Sequence, residues 1–374
     1  MHTRYYVLDG LRGYAAVMVF FSHALGMLPP AQIPFYLRNS VLHFLWDGSA
    51  AVDLFFVLSG FCLALPYLDV IPRKLDYAEF SIRRGFRIYP TYVAGLLLAL
   101  VLRFWVFDPA GLQTLSEWVR GLWVQTPTFK DLAKHLLFVW PSFDTHKIDP
   151  VIWSLVIEMR ISLAFPLAVW ALKRWNSWQA SLAILGLSFM PMIFVQTFMY
   201  LPLFVLGGVL ALHRRAMVAW VQARTEAQVA GLGLIALALY ACQFAVPGWR
   251  PDPNALSTHF MIGAGSGMII ILSLGRPRFH RLMSCGLSRF LGGLSYSFYL
   301  LHLPILLTVS SRVFAMTHSL VLAWSASMVA ALGTAYLSQK WLEEPTNSLG
   351  RWVAGGLPTW LRNRRQATFA ARRG

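Results

Sequence analysis

Long apolar stretches recur from residue 12 to residue 338, separated by short segments rich in Arg, Pro and Gly. About 20 apolar residues in a helix cross the roughly 30 Å hydrocarbon core of a bilayer. The pattern therefore predicts an all-α, polytopic integral membrane protein. Ten spans are expected, near residues 12–28, 51–68, 88–106, 151–171, 179–196, 198–212, 228–246, 258–274, 289–310 and 319–338. The sixth is short and ends in GGVLAL before basic residues, so it is expected to be tilted or partly re-entrant. No internal repeat stands out. The expected organisation is a membrane domain over residues 1–350 and a basic cytoplasmic tail over 351–374.

Charge sharpens this picture. The 374 residues hold 32 Lys and Arg against 16 Asp and Glu, yet only 13% are charged, about half the share of a soluble domain. With the N-terminus placed in the cytoplasm and sides assigned alternately, 23 basic residues fall on the inner side and seven outside. Arg103 and Arg160 lie within spans. This asymmetry predicts an even number of crossings, both termini cytoplasmic, in the inner (plasma) membrane. It explains the basicity by topology and contact with membrane lipids rather than by nucleic acid. The first apolar run lacks a small-x-small cleavage site and carries His23, so it is expected to stay as a helix. The three cysteines are isolated and offer neither a disulfide framework nor a metal spacing, and no metal is expected. Oligomeric state is not readable from the sequence.

The outer connection, residues 107–150, is the longest and contains Trp118, Trp123 and Trp140. It reads as one or two amphipathic interfacial helices, either roofing a site or anchoring on lipid.

Polar residues inside apolar spans are costly and mark candidate chemistry. In LDGLRGYAAVMVFFSHA, Asp9, Arg12 and His23 fall on one helical stripe. Arg12 and His23 lie roughly 16 Å apart along the axis at about 1.5 Å per residue. His23 is a candidate general base or acyl carrier; its ordinary reading is a hydrogen bond to a neighbouring helix. Asp9 is expected to pair with Arg12. RRGFRIYP places Arg83, Arg84 and Arg87 at the inner mouth of the third span, as a positive-inside anchor or an anion clamp for a phosphate-bearing ligand. In PVIWSLVIEMRISLAFP, Glu158 needs a partner on another helix, and His23 or Arg12 are the candidates. Ser295, Tyr299 and His302 form a stripe on the ninth span, serving either packing or ligand contact. Trp153, Tyr299 and His302 are candidate substrate-pocket residues. In WLEEPTN, Pro345 is expected to end the tenth helix.

Taken in order, these stretches resemble the membrane-bound acyltransferase type 3 family, which acylates hydroxyls of polysaccharides, peptidoglycan and related glycans. LDGLRG with its following His matches the family signature at Arg12 and His23. DLFFVLSGF (53–61), the double-Arg motif at Arg83, Arg84 and Arg87, WSLVIE ending on Glu158, LSYSFYLLHLPI and LEEP resemble its other motifs. The chain departs from the family after Glu158, where Met159 and Arg160 replace a usual acid and Gln. Many relatives also carry a C-terminal hydrolase-like domain, so this membrane domain is expected to act alone. The resemblance implies acetyl-CoA or another acyl-CoA as donor, docked on Arg83, Arg84, Arg87 and Arg12. It implies catalysis at His23 oriented by Glu158, and a glycan or lipid-linked sugar as acceptor. A transporter or flippase relaying protons through His23 and Glu158, or an acyltransferase acting on lipid or protein, are the alternative readings.

Overall fold

The computed structural model describes residues 5–35, 40–68, 76–137, 144–193, 196–244, 252 and 255–356. The basic tail beyond 356, Arg4, Arg38, Arg73, Lys74, Trp140 and Arg250 lie outside the described residues. No strand occurs among the described residues. Helices run in the order α1 (Tyr6–Gly26), α2 (Gly48–Leu68), α3 (Tyr77–Trp105), α4 (Glu117–Gly121), α5 (Phe129–Leu137), α6 (Ile152–Arg174) and α7 (Trp178–Leu187). They continue with α8 (Leu201–Gln222), α9 (Glu226–Tyr240), α10 (Leu256–Gly275), α11 (Pro277–Met283), α12 (Gly286–Thr317) and α13 (Leu320–Ser338).

Among the described residues, seven helices are long and apolar enough to cross a membrane: α2, α3, α6, α8, α10, α12 and α13. The charged α1, 21 residues long, occupies the first expected span. The fifth and seventh expected spans hold the shorter apolar helices α7 and α9, of 10 and 15 residues. At about 1.5 Å per residue α7 reaches only half-way across a bilayer.

Three boundaries correct the sequence reading. The sixth span does not stop at residue 212: α8 runs on to Gln222 because Arg214 stays buried, donating from Nη1 to the Ala211 carbonyl at 2.7 Å. The third helix starts at Tyr77 rather than near residue 88, capped by Asp76, whose carboxylate accepts from the Ala78 and Glu79 amides. RRGFRIYP therefore lies inside α3, with Pro90 in its interior. The tenth helix is not ended by Pro345. A π-helical turn over Gln339–Glu343 follows α13, and helix resumes through Pro345 to Gly356. The wider turn relieves the clash between a proline ring and the carbonyl four residues earlier, here that of Trp341.

The motif glycines set how closely helices approach. A Cβ on Gly13 would lie 2.6 Å from the Leu291 and Gly292 backbone, and one on Gly292 would lie 2.3 Å from the Asp9 carbonyl. The glycines of LDGLRG thus let α1 press against α12, which aims Arg12. A Cβ on Gly60 would meet the Phe204 carbonyl at 2.0 Å, so LSGF seats α2 directly on α8. Small residues at such crossings are the usual way membrane helices gain contact.

Candidate functional site

A cleft opens between α1, α2, α3, α6 and α12. Its polar lining is Arg12, Arg84, Arg87, Ser59, Ser154, Glu158, Ser295, Tyr296 and Tyr299. Arg84 and Arg87 share the cleft because a spacing of three on α3 keeps them on one face. Arg83 points elsewhere, pairing with Glu79 at 2.7 Å one turn back. The structure thus separates Arg83 from the other two arginines of the double-Arg motif.

Glu158 finds its partners on α3 and α2. Arg84 Nη2 donates to Glu158 Oε1 in a buried ion pair, and Ser59 Oγ donates to the same oxygen at 2.9 Å. The expected pairing of Glu158 with His23 is not formed; the carboxylate belongs to the arginine cleft. Nor does Asp9 pair directly with Arg12. Arg12 and Arg87 make no hydrogen bond or ion pair among the described residues, and both line the cleft. Two unmatched guanidinium groups beside a matched one leave a net positive cleft, suited to an anion with several oxygens.

His23 lies further along α1. Its ring stacks on Trp118 at 5.4 Å with an interplanar angle of 7°, and on His302 at 5.4 Å and 25°. The two sites are joined through Tyr299. Its hydroxyl lies 2.6 Å from Ser154 Oγ at the cleft wall, and its carbonyl accepts from His302 Nδ1 at 2.6 Å. The Ser295–Tyr299–His302 stripe therefore runs from the cleft to the imidazoles. Trp153 is not part of the cleft lining; it packs on Tyr200 at 5.8 Å and Phe56 at 6.5 Å.

The connection between α3 and α6 roofs His23. Ser116 ties α4 to the end of α1, donating from Oγ to the Gly26 carbonyl at 2.6 Å and from its amide to the Met27 carbonyl at 2.8 Å. That tether delivers Trp118 to His23. Behind it, Arg103 in the last turn of α3 grips the carbonyls of Trp123, at 2.9 Å, Gln125, at 2.6 Å, and Lys147. Lys147 in turn reaches Asp131 on α5 at 3.2 Å. The Thr128 amide and hydroxyl, and then Lys147, hold the Asp131 carboxyl down at about 2.

Sequence reasoning missed Ser59, Trp118 and Arg103 as parts of this arrangement. Only the polarity of Arg103 within a span marked it. It also missed the buried pair of Asp53 and His259, 2.8 Å apart, which links α2 to α10. Among the described residues no group of three His, Cys, Asp or Glu is placed to hold a metal ion, and all three cysteines are free.

The described residues thus form a helical protein with membrane-length helices, an arginine-lined cleft and a stacked imidazole pair. A family model described as an acyltransferase domain matches residues 5–339, and the chain belongs to that family. It is an acyltransferase. Acyltransferase clz18 of Cochliobolus lunatus is 22% identical over 91% of this chain and 93% of its own length. Acyltransferase MdmB of Streptomyces mycarofaciens is 34% identical over 43% of this chain and 38% of its own. The peptidoglycan O-acetyltransferase OatA of Listeria monocytogenes is 23% identical over 93% of this chain, which spans 57% of that relative's length. No solved structure matches the chain.

Proposed function

We propose that the protein transfers an acetyl or other short acyl group from cytoplasmic acyl-CoA to a hydroxyl of a cell-surface or lipid-linked glycan. The observation that carries this reading is the pair of sites on α1. Arg12 lines a net positive cleft, and His23, roughly 16 Å further along the helix axis, lies between Trp118 and His302. Arg12 and Arg87, beside the Arg84–Glu158 pair, hold the donor's phosphates, while the flexible arm of coenzyme A carries the thioester towards His23. His23 acts as general base or as transient acyl carrier. Trp118 offers an aromatic face to a sugar arriving from outside. The charge bias of the connections supports an even number of crossings with cytoplasmic termini.

The test uses purified protein with labelled acetyl-CoA. His23→Ala, expressed at the wild-type level, is expected to abolish acyl transfer. Full transfer by that variant would overturn the reading.

A further inference from the structure

His302 is fully buried on α12. Its Nδ1 lies 2.6 Å from the Tyr299 carbonyl oxygen and 3.2 Å from that of Phe298. A carbonyl oxygen only accepts, so Nδ1 carries the proton and the neutral ring offers Nε2 as a lone pair. Nε2 occupies the ring edge facing away from those carbonyls. It is buried and has no hydrogen-bond partner among the described residues. The surrounding rings include Phe20 at 6.3 Å, Phe298 at 5.9 Å, Tyr299 at 5.8 Å and His23 at 5.4 Å. A bare acceptor in such a wall is costly, and a phenylalanine would pack there without that cost.

The neighbouring imidazole is arranged differently. The His23 ring stacks against both Trp118 and His302, and its nitrogens have no hydrogen-bond partner among the described residues. Nothing among the described residues fixes its tautomer, whereas two carbonyls fix that of His302.

We propose that the two imidazoles divide the reaction: His23 takes the acyl group, and His302 Nε2 takes the proton of the acceptor hydroxyl. This rests on the reading of His23 as a reactive imidazole. In the first step a His23 nitrogen bonds to the thioester carbonyl carbon, the C–S bond breaks, and coenzyme A leaves as thiolate. The ring keeps its own N–H proton, giving an acyl-imidazolium. In the second step the acceptor oxygen bonds to the acyl carbon while its proton passes to His302 Nε2. The C–N bond then breaks and its electron pair returns to His23 as neutral imidazole. The proton on His302 is released to solvent, where it balances the thiolate.

Membrane vesicles lacking the native gene product, complemented with wild type, His302→Gln, His302→Phe or His23→Gln, are given [14C]acetyl-CoA. Label is followed into the protein band and into non-protein envelope material. Both His302 variants are expected to accumulate hydroxylamine-labile label on the protein while transfer falls at least about a hundredfold, the usual scale for loss of a positioned base. His23→Gln should label neither fraction. Wild-type transfer by His302→Gln overturns the proposal, as does loss of protein label together with transfer in a folded His302 variant. If both His302 variants fail to fold, the ring is structural and the proposal falls. Continued transfer by His23→Gln instead removes the reading of His23 on which the division rests.

Discussion

Arg84 and Glu158, 74 residues apart in sequence, meet in a buried ion pair that fixes α3 against α6 at the floor of the arginine cleft. The pairing withdraws Glu158 from His23 and spends one of the motif arginines on structure. It leaves Arg12 and Arg87 as the cleft's unmatched cations.

Glu158→Ala leaves the Arg84 guanidinium unmatched at 6% exposure. Breaking a buried pair from one side costs about 3–5 kcal/mol, whereas replacing both partners with apolar residues is often near neutral. The double variant Arg84→Met/Glu158→Leu is therefore expected to unfold at a higher temperature in detergent than Glu158→Ala. A lower melting temperature for the double variant would contradict this account.

The three motif arginines should separate kinetically. Arg12→Gln and Arg87→Gln each remove a charge-assisted contact worth about 1.5–3 kcal/mol, or roughly ten- to a hundredfold in KM for acetyl-CoA. Arg83→Gln breaks only the surface pair with Glu79 and should leave that KM within about twofold, as a surface pair is worth under about 1 kcal/mol. Steady-state kinetics of coenzyme A release distinguishes the three.

Gly60→Ala pushes a methyl to 2.0 Å from the Phe204 carbonyl, a rigid backbone atom. Overpacking of this kind costs about 1–3 kcal/mol or more. The yield of monodisperse protein on size-exclusion chromatography should collapse. Gly186→Ala, with nothing within 4 Å of the new methyl, is the control and should be neutral.

Asp149, just before α6, is fully buried. One oxygen accepts from the Val151 amide at 3.3 Å, and the other has no partner among the described residues. Loss of solvation pushes its pKa up to about 8. An acid with a raised folded pKa holds its proton in the native state and loses it in the unfolded one, so stability falls as pH rises between the two values. Wild type should lose thermal stability from about pH 4 to about pH 8. Asp149→Asn cannot ionise and should flatten that decline, as read from melting temperatures in detergent.

The sequence revealed the helical architecture through its apolar periodicity, and it revealed the chemistry through residues too polar for their surroundings. Arg12, Glu158, Tyr299 and His302 were visible that way, and Arg84 and Arg87 through the double-Arg motif at a span's mouth. Their pairing was not, because helix spacing orders residues only along one element. Arg84 and Arg83 are adjacent and chemically identical, and only the rotation of α3 sends one to Glu158 and the other to Glu79. Trp118 looked like any interfacial tryptophan, since its place over His23 depends on Ser116 reaching the end of α1. Pro345 read as a helix stop because a π-helical turn leaves no compositional mark.

Arg103 holds the roof by three backbone carbonyls and no side chain. Carbonyls are common to every residue, so this grip specifies the path of the outer segment and not its composition. The side chains along that path are therefore free to change from residue to residue while the backbone stays anchored. A single arginine thereby uncouples the composition of that segment from the upkeep of the fold.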